Sequence, residues 1–340
     1  MKTDAGTKYR KERIDRGIKA RAEDIFALSS LQEMLYLLAP RAILVLGLLI
    51  LPLYLGMYGK KVLINTAIFA LLAMSWDFLF SVGMVSLGQA LFFGVGAYIA
   101  GILHDSLKWS PLLTIPIATL GGGVICSVLL APVLRLRGVY FAMVTLALPL
   151  MFVRIIEATR IFGGTEGIHG LTSLPSVWFE LYLSLAMVIA VLFFFRRLIN
   201  TDYGLVLSGI RDNDQSVLRS GINIYWYKMQ AVFMASAIGA FAGAFMTHAY
   251  MFVGMPAFEL DYSILPIAAG VVGGTGTFAG SMLGAFILVT LSEILRGVGG
   301  VRIVFYSVLL VIFIVVVPEG IFHYLQRKYH QFERWVKVEE

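Results

Sequence analysis

The chain has 340 residues, of which 59% are hydrophobic and only 14% charged, with a formal charge of +6. That balance excludes an ordinary soluble domain and predicts an all-α integral membrane protein, a polytopic helical bundle whose surplus of positive charge sits in loops and does not serve nucleic-acid binding. The single Cys126 excludes a disulfide framework and a thiolate metal site.

In chain order, residues 1–39 read as a cytosolic N-terminal extension. The first long apolar run starts near Pro40, and charge is scattered before it, which is unlike a cleavable signal. Met1 to Asp24 carry eight Lys/Arg against five Asp/Glu, suiting a solvated tail or one that meets anionic lipid headgroups. Residues 40–320 read as the transmembrane domain and 321–340 as a cytosolic tail. Hydropathy predicts about ten segments, near 40–58, 62–82, 85–104, 110–134, 138–156, 177–195, 229–252, 262–275, 277–296 and 301–318. Alternate crossing puts the N-terminal tail, Arg135 and Arg137, the stretch Arg196 to Lys228 and the C-terminal tail on one side. The positive-inside rule makes that side cytosolic, and Lys60 and Lys61 on the other side violate it.

Two glycine-rich stretches interrupt the segments, Gly83 to Tyr98 and Gly270 to Thr277. Each helical Gly costs about 1 kcal/mol relative to Ala, so both predict breaks and half-helices. A displacement of 188 residues superposes Gly88 on Gly276, Gly96 on Gly284 and Ala97 on Ala285, a weak internal repeat. Paired breaks in two halves of a membrane protein point to a solute pathway, whereas small residues alone also serve close helix packing. The pathway reading singles out Asp77, Ser86, Gly88, Gln89, Gly273, Gly274, Thr275 and Gly276.

The loop 196–228 is too polar to span. Asp212 or Asn213 is predicted to cap a short helix over Asp214 to Ser220, and Gly221 to end it. Val217 and Leu218 give that helix an apolar side, suited to docking a partner or lying on the membrane interface.

This loop resembles the coupling segment of ABC importer permeases for branched-chain amino acids, through Gly204, Ile210, Arg211, Asp212, Asp214, Gly221, Ile222, Asn223 and Lys228. Ser75-Trp76 to Tyr98, Leu134 to Ala147 and Gly163-Gly-Thr-Glu-Gly-Ile are similar to the same family, and the last two favour its LivM-type subunit. The resemblance covers about residues 60 to 320. It departs at Ser216 and Val217, where the family usually has alanines, and at Asp77, where it usually has Asn. It implies a heterodimer with a LivH-type permease subunit, two LivG/LivF-type ATPase subunits and an extracytoplasmic solute-binding protein. It implies contact with the ATPase through Arg211, Asp212, Asn213, Asp214, Val217, Leu218 and Gly221. ATP and magnesium would then belong to the ATPase partners, with no cofactor in this chain and a place in the cell (inner) membrane. Urea permeases are similar as well, so the residues leave the solute open.

The rest of the sequence argues against enzymes and ion-coupled carriers. No Gly-x-x-x-x-Gly-Lys-Ser/Thr loop is present, since Gly59-Lys60 continues into Lys61. Ser86 lacks a Gly-x-Ser-x-Gly setting, and His104, His169 and His248 have no ligand spacing. A secondary transporter needs an ionisable coupling site at mid-membrane, and the predicted spans are nearly empty of charge there. A passive channel would have no use for a patterned coupling loop. Arg154 with Glu157, and Glu293 with Arg296, are expected to pair at i,i+3, and Glu166 in the outer loop is the candidate contact for a binding protein.

Overall fold

The computed structural model describes residues 45–295 without interruption, together with 9–13, 42, 308, 311–312, 315–316, 319–331 and 333–337. The chain divides into two compact units, the termini with 1–54 and 322–340, and a bundle of 55–321.

In the terminal unit, β1 (Tyr9–Arg13) pairs antiparallel with β4 (Glu333–Lys337), with Tyr9 opposite Lys337 and Arg13 opposite Glu333. The extension and the tail, read from sequence as separate, are joined by backbone. The unit also holds α1 (Val45–Tyr54) and most of α11 (Ile321–Tyr329).

The bundle contains α2 (Met57–Ser81), α3 (Gln89–Leu107), α4 (Pro111–Leu130), α5 (Val139–Thr159) and α6 (Val177–Ile199). After α7 (Asp202–Arg219) come α8 (Ile224–Tyr250), α9 (Asp261–Gly273) and α10 (Ala279–Ile294). Among the described residues, 7 helical stretches are long and apolar enough to cross a membrane, and Val45–Tyr54 and Ala279–Ile294 are shorter apolar helices. The predicted tenth segment, 301–318, lies largely outside the described residues. The predicted first segment ends at Tyr54 instead of Tyr58, because α2 already begins at Met57, and residues 40, 41, 43 and 44 of that prediction lie outside the described residues.

Helix α2 is apolar on every side and forms the core. In its most apolar stretch 89% is buried, against 28% in α5, whose outward residues Tyr140, Met143 and Met151 face away from the bundle. Small residues let α3 and α8 approach closely. A Cβ on Gly96 would lie 2.2 Å from the Ala240 carbonyl oxygen, and one on Gly243 would lie 1.9 Å from that of Phe93. Helices α9 and α10 do the same, since a Cβ on Gly284, the residue that the repeat superposes on Gly96, would lie 1.9 Å from the Ala269 oxygen.

The two lysines that violate the charge rule are both engaged. Lys61 Nζ meets the buried Glu180 carboxylate at 2.7 Å, and Lys60 Nζ sits 3.5 Å from the centre of the Trp178 ring. Around the same end of the bundle, β2 (Ile168–His169) pairs with β3 (Phe252–Val253), a two-residue antiparallel ladder that ties the outer loop to the end of α8. His104 and His248, 144 positions apart in sequence, bring their rings to 5.7 Å. The Thr172 N–H donates to His104 Nε2 at 3.2 Å, and the Thr172 carbonyl lies 2.9 Å from His248 Nδ1. Both rings thus fasten the outer loop, and no cluster of three metal-ligating side chains occurs among the described residues.

Candidate translocation and coupling site

Both glycine-rich stretches are breaks. Residues 82–88 separate α2 from α3, and 274–278 separate α9 from α10. Neither break is a simple turn at a bundle end. The Ser75 hydroxyl donates to Gln89 Oε1 at 3.2 Å and to the Ala235 carbonyl at 2.8 Å, so α3 starts level with Ser75. Ser75 lies six residues before Ser81, or about 9 Å along the helix at 1.5 Å per residue. The chain therefore turns back before α3 begins, with Met84, Ser86 and Gly88 buried by protein while Gly83 and Val85 stay exposed.

Two consecutive residues of α2 hold the two breaks. Trp76 donates its indole N–H to the Ser86 carbonyl at 2.9 Å in the first break. Its ring also lies against Gly270 in α9, where a Cβ would come within 2.6 Å of it. Asp77, fully buried, accepts from the Gly276 N–H at 2.6 Å and the Phe278 N–H at 2.9 Å in the second break. These donors sit just before α10, so the carboxylate occupies the positive end of that helix. It also holds a costly backbone, because Phe278 has φ +52° without being glycine. Gly274 and Gly276, at φ +110° and +81°, take positive angles that other residues resist.

The first break is capped by hydroxyls. Thr145 Oγ1 accepts from the Leu87 N–H at 3.0 Å, Ser86 Oγ from Gly88 at 3.2 Å, and Ser263 Oγ from Ala90 at 2.9 Å. Gly88 also packs tightly, with a virtual Cβ 2.5 Å from the Thr145 oxygen. Gly273 packs as tightly on the Gly280 carbonyl, at 1.8 Å. Both glycines thus allow close backbone packing beside the breaks. Ser86, Gly88, Gln89, Gly273 and Gly274 are buried, Thr275 is half-buried and Gly276 exposed. The buried Gln89 amide nitrogen has no partner among the described residues.

The segment after α6 is helical over more of its length than expected, starting at Asp202. Gly204 permits the tight corner, since a Cβ there would lie 2.2 Å from the Ile199 oxygen. Asn213 breaks the helix with an extended backbone at φ −159° and ψ 95°. Its side chain then caps the next turn by accepting from the Ser216 N–H at 3.2 Å, and Gly221 ends it at φ +81°. Buried Leu207 and Ile210 fix the first part to the bundle, and Tyr203 stacks on Tyr227 with centroids 5.2 Å apart. Burial, with help from Tyr227, pushes the Tyr203 phenol up to about 12.

Asp214 anchors the second part. Its carboxylate lies 3.0 Å from Arg137 and 3.9 Å from Lys228. Val217 turns toward Gly209, leaving Asp212, Asn213, Ser216 and Leu218 exposed. Arg211 connects this segment to the first break, because a Cβ on the exposed Gly83 would lie 3.0 Å from the Arg211 Cα.

At the opposite end, Glu166 is exposed in the turn 162–166, and its carbonyl lies 2.7 Å from His169 Nε2. Arg154 pairs with Glu157 at 2.7 Å as expected. Glu293 accepts from the Tyr58 hydroxyl, and its expected partner Arg296 lies outside the described residues.

The family described as "Branched-chain amino acid transport system / permease component" matches residues 60–317. The chain belongs to this permease family. It is similar to the high-affinity branched-chain amino acid transport system permease protein LivM of Escherichia coli, 26% identical over 270 aligned residues, covering 70% of this chain and 64% of the relative. LivM of Salmonella typhimurium gives the same figures, and a probable LivM of Methanocaldococcus jannaschii is 26% identical over 227 residues, 60% of this chain and 66% of the relative. The permease thus spans somewhat under two thirds of the length of the two bacterial relatives. No solved structure matches it. It is a multi-pass membrane protein of this family, with paired breaks before α3 and α10 and an elbow at Asn213.

Proposed function

We propose that this chain is the LivM-type membrane subunit of an ATP-driven importer, passing leucine, isoleucine and valine inward. An extracytoplasmic binding protein delivers the solute at the Glu166 end. A LivH-type subunit completes the pathway, two LivG/LivF-type ATPases bind ATP and magnesium, and the α7 end with both termini is cytosolic in the inner membrane. The observation that carries this reading is the contact of Arg211 with Gly83, which joins the exposed elbow at Asp212, Asn213, Ser216 and Leu218 to the first break. ATPase closure at the elbow would press on that break and bias the bundle between two states.

The test is reconstitution with the partner permease, ATPases and binding protein in liposomes, measuring uptake of leucine and of urea. Leu218→Arg changes an exposed side chain, so the bundle should assemble while ATP-dependent leucine uptake falls at least about tenfold, on the scale of a lost interface anchor. Urea uptake in place of leucine would change the solute alone. Uptake that proceeds without the ATPases would overturn the coupling role.

A further inference from the structure

A pocket of 210 Å³ lies between α3, α8 and the start of α9, lined by Phe93, Ala97, Met246, Thr247, Ala257 and Tyr262 among others. Its lining is mostly aliphatic and aromatic, with the Thr247 and Tyr262 hydroxyls as polar points and no charged side chain. At its rim, Tyr250 and Pro256 are exposed. The volume falls below the roughly 300–1,000 Å³ of sites for drug-sized ligands and is on the scale of one small amino acid.

Two of the lining rings, Phe93 and Tyr262, stack on each other, and Phe69 backs Tyr262 from outside the pocket. Tyr262 lies between Phe93, at 4.0 Å between centroids and 12° between planes, and Phe69, at 5.5 Å and 5°. Two counts, both taken from Ser81 at the end of α2, give the distance of that stack from the helix end. Phe69 precedes Ser81 by twelve residues of α2, or about 18 Å. Gln89 starts level with Ser75, about 9 Å in, and Phe93 lies four residues further along α3, giving about 15 Å. Both values fall near half of the roughly 30 Å hydrocarbon thickness. On the other side of the stack, one helical turn from Phe93, lie Ser75 and the buried Gln89 with its unpartnered amide nitrogen.

We propose that this pocket seats the branched aliphatic side chain of the transported amino acid, and that Tyr262, held between Phe69 and Phe93, is the gate that closes it at mid-membrane. The inference rests on the reading of the chain as an amino acid permease and adds where the side chain is recognised. An uncharged, apolar seat rejects charged side chains because their desolvation is not compensated there. The Thr247 hydroxyl donates to the Gly243 carbonyl at 3.1 Å and the Tyr262 hydroxyl points to Met246 Sδ at 4.0 Å, so their oxygens are left as acceptors for the solute's ammonium group. When the stack opens, the next polar groups inward are those of Gln89 and Ser75.

The experiment uses the assembled importer carrying Ala257→Cys, with the native Cys126 fully buried and silent. Thiol reagents of increasing size are added after assembly, so folding is not at issue, and uptake of labelled leucine is measured with valine, alanine and lysine as competitors. The expected results are slower labelling in the presence of leucine but not lysine, and a rise of at least about tenfold in the leucine KM after labelling with a bulky reagent, with alanine less affected. Tyr262→Ala should permit leucine leakage without ATP, whereas Tyr262→Phe, which keeps the ring, should not. Leucine uptake by the parent importer with no protection and no change in selectivity after labelling would overturn the pocket. A parent importer that takes up no branched-chain amino acid would instead refute the function on which the pocket depends.

Discussion

Removing the Asp77 carboxylate should loosen the second break without unfolding the bundle. Asp77→Ala deletes an acceptor for two backbone donors, at 2.6 and 2.9 Å. A hydrogen bond to a charged group contributes about 1.5–3 kcal/mol. Gly276 is exposed and its N–H can turn to water, but Phe278 is buried and its N–H cannot. Counting the second bond fully and the first in small part gives about 3 kcal/mol, or roughly a hundredfold rise in the opened population at about 1.4 kcal/mol per decade. Asp77→Asn keeps one acceptor oxygen and should raise it about tenfold, from the same bond values. Opening is read by alkylation of Thr275→Cys, since Thr275 is half-buried in the break and Cys126 does not react from its fully buried site. The expected order of labelling rates is Asp77→Ala above Asp77→Asn above the parent. An Asp77→Ala rate within about twofold of the parent would refute the claim that this carboxylate holds the break.

Lys61→Ala leaves Glu180 buried without its partner. Discounted because the Lys61 side chain is 40% exposed, the cost is about 2 kcal/mol, read as a lower unfolding temperature in detergent, and Glu180→Leu in the same chain should restore part of it. Asn213→Ala removes the cap of the second part of α7 and should cost about 1 kcal/mol, seen as roughly fivefold faster amide exchange over 214–219 with α2 unchanged. Gly243→Ala places a Cβ 1.9 Å from the Phe93 oxygen, so α3 and α8 must separate. A loss of at least about 2 kcal/mol in thermal unfolding is expected, and a neutral result would contradict the packing described.

What the sequence made legible was local. The two breaks, the cap at Asn213 and the stop at Gly221 follow from glycine and side-chain chemistry within a few residues. The clamps were not legible, because Asp77 meets its donors 199 and 201 positions away, and nothing near Asp77 marks it as a cap. Glu180 escaped notice for a related reason. An acidic residue in the first turn of a helix is ordinary at the sequence level, and only the fold brings Lys61 to it across 119 positions. The first half of α7 was missed because Gly204, Ser208 and Gly209 dilute its helical signal, while its packing on the bundle through Leu207 and Ile210 is tertiary. The elbow residues were singled out by motif, but their division into a bundle-facing anchor, Asp214, and an outward face depends on Arg137 and Lys228, which approach from other segments.

Consecutive residues on a helix differ by about 100° in direction and 1.5 Å in height. Trp76 and Asp77 therefore carry the two halves of the repeat at a set angular offset on a common shaft. A twist of α2 cannot reach one half without reaching the other, so the halves must advance together. Inserting a single residue between Trp76 and Asp77 would put them out of phase while leaving the composition of the helix almost unchanged.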